Sequence, residues 1–356
     1  MALTRSQLQA SHLSVAQKSV INAAMAGGTE LGLGLDEAQC AYLAARVASD
    51  LETQREGTPS YVLPFFGETD LATLRLDGVP FLPLFEALCV QASDAETYFE
   101  CLAALHKRRL KYQRILEHQP IPSLDQVGPR GLLQYGTLNA HALAGWLFWR
   151  KWLYDIDNRA GQETGYIFEP IVARCVGGTS VSAKKSPVKR RDGSGKGRQV
   201  DCLYGDRAYE IKLRVTAAAS GQGRWGEEKD YPADCQASGL VPVLLVFDDT
   251  QASKLDELSA AFRASGGEVY VGAKAWSHLE ALAGPTMSIF LESYVRVPLK
   301  DLLDHAPLRD DLPELHLRLE GNQLTIGIGS ETIAITRPTR TGAEEQADPD
   351  SITGGA

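Results

Sequence analysis

The spacing of apolar residues changes character near residue 160 and again near residue 310. Up to the first change, apolar positions recur at the period of an amphipathic helix. LDEAQCAYLAARVASDLETQREG (35–57) has an acidic start and Gly57 after its end. SDAETYFECLAALHKRRLKYQRILEH (93–118) opens on Ser93 as N-cap and gathers Lys107, Arg108, Arg109, Lys111 and Arg114 toward its end, where cations favour the helix dipole. LNAHALAGWLFWRKWLYDID (138–157) is a strongly apolar helix with Trp146, Trp149 and Trp152 at a spacing of three, a stripe for a core or a subunit interface. Between the changes, GYIFEPIVARCVGG (165–178) predicts a short helix closed by glycines, GTSVSA (178–183) a strand, and VDCLYGDRAYEIKLRV (200–215) a hairpin. RWGEEKDYPADCQASG (224–239) reads as a loop entering a short helix, and LVPVLLVFDD (240–249) as a buried strand. QASKLDELSAAFRASGG (251–267), EVYVG (268–272) and AWSHLEALAGPTMSIFLESYVRV (275–297) add a helix, a strand and a helix.

This order predicts an α/β (α+β) core with a mixed central sheet flanked by helices. Beyond residue 310, ELHLRLEGNQLTIGIGSETIAITR alternates with period two and turns at Gly321-Asn322 and Gly329-Ser330, a three-stranded antiparallel meander. The chain thus divides into a mainly helical region (1–160), a core (161–300), a meander (301–337) and a tail (338–356) whose one large apolar residue is Ile352 and which is expected to be disordered. There are no internal repeats.

At 356 residues, 44% hydrophobic and 23% charged, the chain is ordinary for a globular protein and can bury a large core. No apolar run approaches the length needed to span a bilayer, and the N-terminus lacks a signal-peptide core, so a cytoplasmic location is expected. Six cysteines without a CxxC pair and seven scattered histidines fit neither a disulfide scaffold nor a structural zinc site. The net charge of -9 argues mildly against nonspecific nucleic-acid binding, but charge distribution matters more than the sum.

The hairpin carries the chemistry. With Gly205-Asp206 as a two-residue turn, counting outward sets Asp201 opposite Glu210, and Lys212 points to the same face. Val200, Cys202, Tyr209, Ile211 and Leu213 point the other way, to a core. Opposed carboxylates repel unless a cation lies between them or one holds a proton. Magnesium takes oxygen ligands and usually one or two carboxylates, and the Ile211 carbonyl offers another oxygen. Lys212 beside it could position a water aimed at phosphorus or help deprotonate it, which makes a site for phosphodiester hydrolysis. The plain alternative is an ion-paired patch on a solvated sheet face. ExK is common: Glu227-Glu228-Lys229 supplies another, on a polar segment with no opposed acid.

The D-x8-E-x-K pattern of Asp201, Glu210 and Lys212 resembles the PD-(D/E)xK nuclease signature, with Val200 where a proline is usual. Within that superfamily, EIKLRVTAAASGQGRWGEE (210–228) and AWSHLEALAGPTM (275–287) are similar to the ApaLI-like type II restriction endonucleases. The resemblance implies a restriction-endonuclease-like core, magnesium-dependent cleavage of double-stranded DNA at a short palindrome by a homodimer, and 5′-phosphate and 3′-hydroxyl ends. It also implies a further acid on the helix before the first core strand, where Glu169 stands, with Glu163 one and a half turns earlier; the alternative for Glu169 is to cap or orient its neighbours.

Lys184, Lys185, Lys189, Arg190, Arg191, Lys196 and Arg198 form a basic, Gly-rich loop leading into the first hairpin strand, where DNA phosphates must lie. After the second strand, SGQGRW (220–225) offers Gln222 and Arg224, side chains that pair with adenine and guanine, between glycines that allow close approach. Each stretch also reads as an ordinary solvated connector. Two other functions compete with site-specific cleavage. One is a repair or recombination nuclease that reads DNA structure. The other is a non-catalytic DNA-binding protein whose sheet charges form a structural ion pair.

Overall fold

Small side chains at helical spacing draw the N-terminal helices together, and the sheet is built against the layer they form. The computed structural model describes residues 5–27, 33–53, 61–67, 70–213, 222–248, 253–307 and 311–338. Helices α1 (Arg5–Ala10) and α2 (Val15–Met25) lead to α3 (Glu37–Asp50), α4 (Phe81–Gln91) and α5 (Ala95–His118). Ser14 and Asp36 close capping boxes at α2 and α3 with Gln17 and Gln39. Ala41, Ala44, Ala45 and Ala48 of α3 are buried, which lets α4 and α5 approach closely, with Phe81, Phe85 and Phe99 interlocked between them. Gly57, expected to follow α3, lies outside the described residues. The N-cap of α5 is Asp94 and not Ser93: Asp94 takes a left-handed conformation (φ 57°), and the Ser93 carbonyl instead accepts the Thr286 hydroxyl.

After α6 (Leu124–Gly131) comes α7 (Ala140–Val176), 37 residues long. The two helices expected from the sequence are one, and the boundary drawn at 160/161 falls inside it. The intervening NRAGQET looks like a linker, but Arg159 and Glu163 are buried there, and Glu163 is held by Arg108 and Lys111 of α5. Tertiary pairing offsets the one poor helix former, Gly161.

The sheet runs β1 (Thr179–Val181), β2 (Val200–Tyr204), β3 (Arg207–Lys212), β4 (Val241–Val246) and β5 (Glu268–Val271), in that spatial order. β1, β2 and β3 pair antiparallel, whereas β3, β4 and β5 pair parallel. The parallel pairs require crossovers, made by α8 (Gln222–Ala237) and α9 (Ser253–Ala264). β4 is buried on both sides: Val243 and Leu245 face the C-terminal half of α7 and α10 (Ala273–Leu291), while Leu244 and Val246 face α8 and α9. The first of these cores includes α2 to α5, so the N-terminal helices and the sheet share it. Gly178 brings β1 onto β2; a Cβ there would meet Cys202 Sγ at 2.3 Å.

A π-helical turn and α11 (Val297–Asp304) lead to the meander β6 (Leu315–Glu320), β7 (Gln323–Ile328) and β8 (Glu331–Thr336), which pairs antiparallel with turns where the sequence puts them. Leu324 and Ile335 pack on Trp152, with Trp149 beside it, so two of the three tryptophans are core; Trp146 is half exposed. The six cysteines are free thiols, five of them buried. Among the described residues no helix is long and apolar enough to cross a membrane. All but the first residue of the 338–356 tail lies outside the described residues.

Candidate active site

β2 and β3 meet at Gly205-Asp206, where Gly205 takes the positive φ of 57° that a two-residue hairpin turn requires. Tyr204 then faces Arg207, Leu203 faces Ala208 and Cys202 faces Tyr209, as counting predicts. The ladder ends there, so the expected pair of Asp201 opposite Glu210 is not formed. β2 has one residue more than β1 between matching pairs, since Thr179 pairs with Leu203 but Val181 with Val200. Such a bulge re-aims side chains. Val200 accordingly joins Ala208, Leu244 and Val246 in the cluster under α8 and α9, not the face of Cys202, Tyr209 and Ile211 to which alternation assigns it. Asp201 turns onto the main chain: its Oδ2 accepts the Ile211 N–H at 2.9 Å. The N–H and C=O of one strand residue leave on the same edge, so the Ile211 carbonyl faces the Asp201 side too.

Glu210 and Lys212 are half-buried on the face toward α8. Lys212 Nζ lies 3.0 Å from Glu210 Oε1 and 3.5 Å from Glu228 Oε1. Burial alone would drive the ammonium toward neutrality, but Glu210 and Glu228 hold it above the ordinary lysine range. In this arrangement Lys212 is a charged donor, able to position a water and unable to take a proton from it.

Glu169, on α7 just before Pro170, completes the cluster. Burial, then the charge of Glu210, pushes its carboxyl up to about 7, with Lys212 pulling the other way. Asp201 is raised well above the usual carboxylate range by burial, Glu210 and Glu169, against the Ile211 N–H and Lys212. α7 therefore brings a third acid into the field of the hairpin's two. Glu163 is elsewhere: its buried carboxylate takes Arg108 Nη1 at 2.6 Å and Lys111 Nζ at 2.7 Å, beside a cavity of about 570 Å³ between α5 and α7.

The donor set suits a hard cation. Carboxylates whose proton affinity is raised by burial and a neighbouring carboxylate, as for Asp201 and Glu169, are relieved by a divalent ion as well as by a proton. Among the described residues no three acids, histidines or cysteines converge closely enough to hold a metal by themselves. The available set is Asp201, Glu210 and the Ile211 carbonyl, and magnesium usually takes only one or two carboxylates, with waters and phosphate oxygens completing its shell.

The basic stretch is a hairpin of its own, closed by a bridge between Lys189 and Gly197 and pinned to α8. Arg198 is buried, its Nε 2.7 Å from Asp234 Oδ2; Arg191 Nε lies 3.0 Å from Asp234 Oδ1, and Arg190 Nη1 2.8 Å from Glu227. Three of the seven cations expected to meet phosphate thus hold the hairpin to its helix, and Arg198 is too buried to reach DNA in this arrangement. Lys184, Lys185, Lys189 and Lys196 are exposed. Gln222 and Arg224 lie in the first turn of α8 and not in a loop, because the helix starts before Trp225; their side chains and residues 214–221 are outside the described residues.

The sequence does not single out Glu228 or Asp234, and the ExK that contains Glu228 has no acid opposite it in the sequence pattern. The signal that finds Glu228 is helical spacing. Glu228, Tyr231 and Cys235 fall on one face, and Tyr231 and Cys235 are buried against the sheet.

The comparisons with known proteins converge on this region. A family model described as ApaLI-like restriction endonuclease matches residues 85–296, which include α7, the hairpin and α8 but not the meander. The type II restriction enzyme ApaLI of Acetobacter pasteurianus is 48% identical over 272 residues, covering 72% of this chain and 72% of that one. No solved structure matches.

Proposed function

The chain belongs to the ApaLI-like restriction endonuclease family, and from that premise we propose that it is a type II site-specific deoxyribonuclease, a PD-(D/E)xK enzyme using magnesium. The observation that carries this reading is that burial and the charge of Glu210 raise the proton affinity of both Asp201 and Glu169, beside the Lys212 ammonium 3.0 Å from Glu210. Asp201, Glu210 and the Ile211 carbonyl would hold the ion, with Glu169 in its field. Bound magnesium supplies Lewis acidity toward the scissile phosphate. The Lys212 ammonium donates hydrogen bonds to the attacking water and a phosphate oxygen, orienting the water oxygen toward phosphorus. The water oxygen bonds to phosphorus as the P–O3′ bond breaks, the water's proton passes to solvent and the departing O3′ takes one from solvent, which leaves 5′-phosphate and 3′-hydroxyl ends.

Lys184, Lys185, Lys189 and Lys196, all exposed, would meet phosphates and set register. Gln222 and Arg224, opening α8, are the proposed base readers. Among the described residues each chain has one such acid cluster, so cutting both strands of a palindrome calls for a homodimer, acting in the cytoplasm. Digestion of plasmid in magnesium, with the ends mapped, tests the proposal. Discrete fragments with 5′-phosphates at one repeated short sequence support it. Cutting that depends on junctions or flaps, or binding without cutting, refutes it.

A further inference from the structure

Two faces of α8 serve two neighbours. Glu227 and Asp234 hold the basic hairpin, while Tyr231 and Cys235 are buried against the sheet and Tyr231 Oη donates to the Tyr209 carbonyl at 3.4 Å. Glu228 lies one turn before Tyr231 on that second face, so the packing of Tyr231 and Cys235, which does not involve Lys212, sets where the helix presents Glu228. The ammonium consequently has partners on two separate elements, Glu210 at 3.0 Å and Glu228 at 3.5 Å. Glu210 is also a proposed cation ligand, and an ammonium and a divalent cation repel one another at one carboxylate.

We infer that Glu228 is a positioning residue that receives the Lys212 ammonium when a divalent cation takes the Glu210 carboxylate. The inference rests on the reading of Asp201 and Glu210 as cation ligands. Lys212 is suited to the exchange, because its flexible four-carbon stem and three donors let it change carboxylates with little motion. Without Glu228 the ammonium stays on Glu210, and the cation must displace it with no carboxylate to receive it. With Glu228 the ammonium moves aside and remains next to the cation site, where the water and phosphate are to be oriented.

Calcium titration of the full-length chain by calorimetry tests this, with thermal unfolding of each variant as the check on folding. Glu228→Gln should bind calcium about tenfold more weakly, the scale of a lost hydrogen bond to a charged group. Glu228→Asp, which keeps the charge, should recover most of the affinity. Lys212→Met should bind at least as tightly as the unmodified chain, and Glu228→Gln added to Lys212→Met should cause no further loss. Unchanged affinity in Glu228→Gln overturns the inference. So does a loss that persists in the double variant, since Glu228 would then be a ligand or a structural support. Glu210→Gln separates the two levels: if it binds calcium as the unmodified chain does, the cation-site reading fails and the inference with it.

Discussion

Replacing Glu169 with glutamine would show whether α7 delivers a charge into the site or only fills space beside it. The Glu169 carboxyl titrates near 7 in the folded chain, against an ordinary value of 4.5. Between those values the folded chain keeps a proton that the unfolded chain has released. Stability therefore falls as pH rises through that window, and the full cost is present above pH 7. A gap of that width corresponds to about 3 kcal/mol for a fully buried group, and the partial exposure of Glu169 reduces it to about 1–2 kcal/mol. Glutamine has nearly the same shape and no charge. In EDTA at pH 8, Glu169→Gln should be more stable than the unmodified chain by about 1–2 kcal/mol; near pH 4.5 the two should coincide. Urea unfolding followed by tryptophan fluorescence at pH 4.5, 6 and 8 reads the difference. Saturating calcium should stabilise the unmodified chain more than the variant and so narrow the gap at pH 8. A variant that is less stable at pH 8, or whose stability follows the same slope with pH, would refute the reasoning.

Asp201→Asn and Glu210→Gln should each lower cleavage by about 10²–10³-fold while leaving duplex binding in EDTA intact; normal cutting by either removes it from the site. Lys212→Gln should be as impaired as Lys212→Ala in single-turnover assays, because charge beside the phosphate is what Lys212 supplies, and a rate within a few-fold of the unmodified enzyme would assign it the wrong role. Asp234→Ala takes the 2.7 Å partner from the Arg198 guanidinium, 9% exposed, and leaves it only the longer 3.8 Å pair with Glu227, which should cost about 3 kcal/mol in urea unfolding, whereas Arg191→Ala, whose side chain is 51% exposed, should cost at most about 1 kcal/mol; equal losses contradict the burial argument. Neutralising Lys184, Lys185 and Lys196 together should flatten the dependence of log K on log salt by up to about 3 on cognate and scrambled duplexes alike; an unchanged slope shows that they do not meet phosphate.

The parts of this structure set by local rules are those the sequence predicts. The Gly205-Asp206 turn and the alternation in β7 and β8 depend on residues a few positions apart, and the first three pairs of the hairpin follow from counting alone. Errors enter where a distant segment decides. Whether NRAGQET is a linker or a helix depends on Arg108 and Lys111, some fifty residues earlier. The face of Val200 depends on how β2 meets β1 across the basic hairpin. The basic residues read as one class because charge is visible in a sequence and pairing is not; Asp234, which pairs with two of them, lies over thirty residues downstream. Asp201, Glu210 and Lys212 were legible because one hairpin carries them all, whereas Glu228 comes from the next element.

The unbroken course of α7 gives the chain a fixed phase. Trp152, seated on the meander, and Glu169, facing the hairpin, are 17 positions apart on one helix. One residue inserted between them would advance the far end by about 1.5 Å and turn it by about 100°. Glu169 would swing off the acid cluster, or Trp152 off the meander, and no loop lies between them to absorb the change. Substitutions in that interval are read one at a time by their neighbours, but a change of length is read at both ends at once. The number of residues from Trp152 to Glu169 is thus as much a part of the site as the carboxylates that occupy it.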